Sequence, residues 1–193
     1  MIRPVLWAVL TASAAMATPI TFTISAYGSG TLNGVSFTDS LITYTQVTDT
    51  TLIASNCFAA GIYCAPSSTS NTVTIGSSTY TLTDSTAFGD NTSLSLAGIS
   101  DITASYDILD ESDGAFSTYN LQSALGPISG GLIFTTGTIT EPTSGGTLDV
   151  TYEADVLFTA TTGSSSVPEP GSLGLMLAGA LILHAGRFRV VRR

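Results

Sequence analysis

Apolar and polar residues alternate with a period of two along most of this chain, the pattern of half-buried strands. Ile20, Phe22 and Ile24 alternate with Thr21, Thr23 and Ser25 and predict a first strand. Gly28-Ser29-Gly30 is expected to turn the chain into a second short strand at Val35 and Phe37. A third follows from Leu41 to Val47 after a turn at Asp39-Ser40. Residues 49–70 show little alternation and are expected to form an excursion at one edge. Val73-Thr74-Ile75 and Tyr80-Thr81-Leu82, joined by Gly76-Ser77-Ser78, read as a hairpin.

Further strands are expected from Leu94 and Leu96 after Gly89-Asp90-Asn91, across Ile102–Leu109, and across Phe116–Leu121. Gly126-Pro127-Ile128-Ser129-Gly130-Gly131 predicts a turn leading to a strand over Leu132–Thr138, and Glu141-Pro142-Thr143-Ser144-Gly145-Gly146 a second turn. The clearest alternation is the last: Leu148, Val150, Tyr152, Ala154 and Val156 on one face, Asp149, Thr151, Glu153 and Asp155 on the other. About ten short strands, with no helical period between them, point to an all-β fold. The expected form is an antiparallel β-sandwich over residues 18–162, with a jelly roll as one version of it.

The two ends break this pattern. Arg3 precedes an apolar run around Trp7, and Ala15 and Ala17 stand at small-residue cleavage positions, so residues 1–17 read as a secretory signal peptide and Thr18 as the mature start. At the other end, residues 163–166 form a Gly/Ser linker. Val167-Pro168-Glu169-Pro170 then precedes an apolar run from Leu173 to Gly186 and a basic cluster of Arg187, Arg189, Arg192 and Arg193. The prolines keep the segment before the run extended. The run predicts one short transmembrane helix, about 21 Å long at ~1.5 Å per residue against a hydrocarbon core of roughly 30 Å. The arginines act as a stop-transfer signal that keeps the C-terminus cytoplasmic. The lone His184 falls in this tail, where a polar side chain reaches the interface.

Charge narrows the chemistry. Residues 18–166 hold thirteen of the fourteen acids and none of the five basic residues. Without a cation the body cannot neutralise phosphates, which excludes nucleic acid as a partner. No histidine or lysine serves it, so Ser–His, Cys–His and Ser–Lys mechanisms have no parts. Paired carboxylates remain for a glycosidase, from Asp107, Asp110, Glu111 and Asp113 or from Asp149, Glu153 and Asp155. The first cluster, ending in Gly114, is also the candidate calcium site, although it departs from the EF-hand spacing and a solvated turn is the favoured reading of it. Otherwise no cofactor is expected. Cys57 and Cys64 read as a disulfide, since a zinc site would need two further ligands. Asn91-Thr92-Ser93 fits the glycosylation sequon.

The order Val167-Pro168-Glu169-Pro170, Gly171-Ser172-Leu173, short glycine-containing apolar run and arginine-rich end resembles the PEP-CTERM sorting signal of Gram-negative bacteria, over residues 167–193 alone. The resemblance implies recognition of Pro168-Glu169-Pro170 by an exosortase, transient passage through the inner membrane, removal of the tail, and release or attachment at the cell surface. It also implies association with extracellular polysaccharide and biofilm. The resulting expectation is an exported, non-enzymatic surface or matrix protein. Its rivals are a carbohydrate-binding module using aromatics such as Phe58 and Tyr63, and a carboxylate-pair glycosidase.

Overall fold

The computed structural model describes residues 18–67, 70–133, 137–153 and 155–163. The signal-peptide positions Ala15 and Ala17, the sorting motif Val167–Pro170, the apolar run, His184 and the four C-terminal arginines lie outside them. So does the predicted transmembrane helix; among the described residues no helix is long and apolar enough to cross a membrane.

Thirteen strands are found among the described residues: β1 (Pro19–Leu32), β2 (Val35–Asp49), β3 (Ala54–Ser55), β4 (Ile62–Pro66), β5 (Ser70–Ile75), β6 (Ser78–Thr81), β7 (Thr86–Asn91), β8 (Leu96–Asp101), β9 (Tyr106–Ser112), β10 (Leu125–Ile133), β11 (Ile139–Thr143), β12 (Gly146–Tyr152) and β13 (Val156–Thr162). All pair antiparallel in one sheet of order β3-β4-β7-β8-β9-β10-β13-β1-β2-β5-β6, with β12 and β11 added beside the second half of β1. The sheet curls on itself into a half-barrel. The bend falls in β10, whose Leu125–Gly130 segment pairs with β13 while Gly131–Ile133 pairs with β9.

The core lies in the concavity. β1 contributes Ile20, Phe22, Ile24 and Ala26, each almost wholly buried, as the alternation requires. β2 adds Ile42 and Tyr44, and β12 adds Leu148, Val150 and Tyr152. Across the concavity, Phe22 stacks on Phe88 of β7 with ring centroids 5.2 Å apart. Phe158 of β13 sits at the centre of an aromatic cluster with Phe22, Phe88, Phe116 and Tyr119, at 5.2–6.4 Å between centroids. A polar contact also ties the halves, Gln46 Nε2 of β2 donating to Ala65 O of β4 at 2.6 Å; within one half, on the two strands that flank β1, the Tyr44 and Tyr152 hydroxyls meet at 2.5 Å.

Several expected turns are instead strand. Gly28-Ser29-Gly30 lies within β1, where a Cβ on Gly30 would collide with the Asp149 carbonyl of β12 and one on Gly28 would meet Thr151 O at 2.9 Å. These glycines let the backbone of β12 approach, and the chain reverses later, at Asn33-Gly34, both at positive φ. We expect Gly30→Ala to destabilise the fold by about 3 kcal/mol, read as a lower urea midpoint, because the obstacle is main chain rather than a movable side chain. Asp39-Ser40 lies inside β2, at the bulge that shifts its register against β1 between Gly28 and Gly30. Gly89-Asp90-Asn91 ends β7, Gly126–Gly131 runs along β10, and Glu141-Pro142-Thr143 belongs to β11.

Of two further expected strands, Ile102–Leu109 is strand only from Tyr106 onwards and Phe116–Leu121 is not strand at all. Residues 102–105 turn between β8 and β9. Gly114–Thr118 is a 3-10 turn whose first free amide, Ala115 N–H, donates to the Asp113 side chain at 2.8 Å. The last alternating stretch is divided between β12 and β13, with Asp155 at φ 73° between them. The hairpin at β5–β6 and the cysteine segment at the sheet edge match expectation.

Candidate functional site

β4, β7, β8 and β9 form one half of the sheet, and their register assigns side chains to its two faces. Cys64, Gly89, Gly98 and Asp110 stand directly opposite one another on the outer face, while Ala65, Phe88, Ile99 and Leu109 line the core. The central pair on the outer face is therefore glycine against glycine, leaving a shallow floor. A Cβ at Gly98 would collide with Asp110 Oδ1, so the missing side chain gives the carboxyl its place.

Phe58, Leu94 and Ile102 rise around this floor, at 72%, 58% and 41% exposure, and with Ser100, Asp107 and Asp110 they line a cavity of about 290 Å³. An adjoining cavity of about 350 Å³ continues from Phe58, Ile102 and Asp107 towards Ser105 and Tyr106. Together they make an open groove. The loop carrying Phe58 is held by the Cys57–Cys64 disulfide, by Gly61 N–H donating to Asn56 Oδ1 at 3.0 Å, and by Cys57 N–H donating to Ile62 O at 3.2 Å. Tyr63, the other expected sugar-stacking aromatic, packs against the core instead.

A register shift opposite Ile99 and Ser100 pairs Ser100 with Asp107 and skips Ile108. That bulge brings Asp107 and Asp110 to the same face, in hydrogen-bond contact. Burial, then the Asp107 charge, push the Asp110 carboxyl up to about 8. Asp110 accordingly keeps its proton and donates to Asp107, which also accepts from Ser100 Oγ at 2.7 Å. Direct contact leaves no space for an anomeric carbon between these two carboxyls; glycosidases hold theirs roughly 5–9.5 Å apart.

The remaining candidate acids do not converge with this pair. Glu111 faces inwards, fully buried, and burial followed by the Asp113 charge raises it to about 8. Asp113 caps the 3-10 turn. The sequence cluster is thus split between two faces and a cap, and among the described residues no group of three acidic, cysteine or histidine side chains is placed to hold a metal. Asp149 accepts from Thr140 Oγ1 at 2.7 Å, Glu153 accepts from Ser29 Oγ at 3.3 Å, and Asp155 is exposed. Asn91 of the sequon borders the groove and accepts from Leu94 N–H at 3.3 Å.

Sequence reasoning passed over three buried acids, of which Asp101 accepts from Ala104 N–H at 2.8 Å and the other two carry raised carboxyls. Asp90 is on the inner face with neither carboxylate oxygen partnered, and burial raises it to about 8. Glu141 accepts from the Tyr106 hydroxyl and is raised to about 7, chiefly by burial, the hydrogen bond acting in the opposite direction. The only signal of Asp90 and Glu141 was position: Asp90 sits one residue from glycine in an apolar strand, and Glu141 precedes proline. No protein-family model, curated protein or solved structure matches this chain.

Proposed function

We propose that this chain is an exported, non-enzymatic protein of the cell surface or extracellular matrix, sorted by its C-terminal signal and associated with polysaccharide. The single observation that carries the reading is the run of residues 167–193, in which Val-Pro-Glu-Pro, a short apolar stretch and four arginines follow in order. The body supports it. Its disulfide belongs to an oxidising compartment, and a body with thirteen acids and no cation over residues 18–166 is repelled by anionic lipid once its tail is gone.

In this reading an exosortase-type enzyme in the inner membrane recognises Pro168-Glu169-Pro170, and the membrane contact is transient. The curled sheet is read more finely as a sandwich variant in which Phe22 and Phe88 meet between two facing halves that β10 joins. A carbohydrate-binding role is favoured as the body's task by the exposure of Phe58 above the outer-face groove.

Intact mass of the protein recovered from the cell surface or medium tests the sorting. The expected product begins at Thr18 and lacks Leu173–Arg193. A surface-exposed product that still carries those residues overturns it.

A further inference from the structure

The outer-face groove combines three features seldom found together. Phe58 is a large ring left mostly exposed on a loop braced by the disulfide. Leu94 and Ile102 add apolar rim, and Asp107 and Asp110 form a carboxyl pair at the wall, with Asp110 only 8% exposed. Between Thr18 and Ser166 no lysine, arginine or histidine exists to balance these acids. An anionic ligand would meet uncompensated charge. A group with a positive charge would find two carboxyls within one contact distance and an aromatic face beside them, and a cation near an aromatic ring gains roughly 0.5–2 kcal/mol in addition to its ion pairs.

We propose that this groove binds an amine-bearing sugar unit, of glucosamine type, within a cationic polysaccharide. The ammonium lies between the Asp107 and Asp110 carboxyls, and the apolar face of the pyranose ring rests on Phe58. On binding, the ammonium replaces the proton the two acids share, and that proton leaves to solvent. Ser100 Oγ, already donating to Asp107, holds that carboxylate in position. The two adjoining cavities give the groove length for more than one sugar unit.

The inference rests on the polysaccharide association proposed above for the source of its ligand, but binding by the purified full chain does not depend on where the chain is exported. A matched pair of hexasaccharides, one of glucosamine and one of N-acetylglucosamine, isolates the amine, because the two differ in charge and little in shape. Calorimetric titration is expected to show saturable binding of the glucosamine hexamer and at least about tenfold weaker binding of its acetylated counterpart, or about 1.4 kcal/mol.

Phe58→Ala, which alters no charge, and Asp107→Asn should each weaken binding by about tenfold or more. Asp39→Asn, an exposed residue on β2 removed from the groove, should leave it unchanged. Equal binding of both hexamers, binding of neither, or an equal loss in Asp39→Asn and Asp107→Asn would overturn the proposal. The last result would mean that the overall negative field attracts the ligand and the groove does not.

Discussion

Raising the pH from about 5 to about 8 is expected to destabilise this fold by several kcal/mol, the reverse of the usual behaviour of buried, salt-bridged carboxylates. Asp90, Asp110 and Glu111 are held at about 8 and Glu141 at about 7 in the folded protein, in each case chiefly by burial. In the unfolded chain all four return to roughly 4. Between those values the unfolded state has released protons that the folded state still binds, so stability falls as pH rises. It is fully present below the unfolded value and is lost as the pH approaches the folded one. Each group contributes a slope of up to about 1.4 kcal/mol per pH unit. Net stabilities are commonly about 5–15 kcal/mol, so the effect is a large share of the total. Urea midpoints measured across this range should decline steadily with pH. Asp90→Asn, which imitates the protonated acid, should flatten the decline, and a midpoint that is constant or rises with pH would refute the account.

Replacing Phe158 with alanine is expected to cost about 3–5 kcal/mol. Its fully buried ring touches Phe22 of β1, Phe88 of β7, and Phe116 and Tyr119 beyond β9, so one side chain packs against both halves of the curled sheet. The cavity left behind is walled by those four rings, whose own packing limits how far they can close it. Phe58→Ala, by contrast, removes a ring that is 72% exposed and should change stability little. Thermal melts of the two variants under identical conditions separate the core phenylalanine from the groove phenylalanine.

The core faces were legible from alternation because burial on one side of a sheet imposes a period of two: Ile20, Phe22 and Ile24, then Leu148, Val150 and Tyr152, all face inwards. Reversals were harder to read. Glycine serves turns and close backbone approach alike, and Gly28, Gly30, Gly89 and Gly98 are used within strands, while the actual reversal, Asn33-Gly34, carried the stronger hairpin signal. Asp107 and Asp110 were visible as part of an acidic run. Their contact depends on a bulge in the β8–β9 ladder, and the opposite orientation of Glu111 on strand period, neither of which follows from a count of charges. Phe58 and Tyr63 looked equivalent in sequence, yet Tyr63 lies within β4 and packs on the core while Phe58 stands on the preceding loop.

The two ends of the described body lie side by side. Ile20 pairs with Thr162, and Gly163 N–H donates to the carbonyl of Pro19 at 2.8 Å. A load applied between these ends pulls β1 and β13 apart like a zipper, one residue pair at a time, instead of shearing every hydrogen bond between them at once. A protein tethered at both ends would yield there first. Held by one end alone, the same body leaves that seam unloaded, so attachment through a single terminus suits it mechanically.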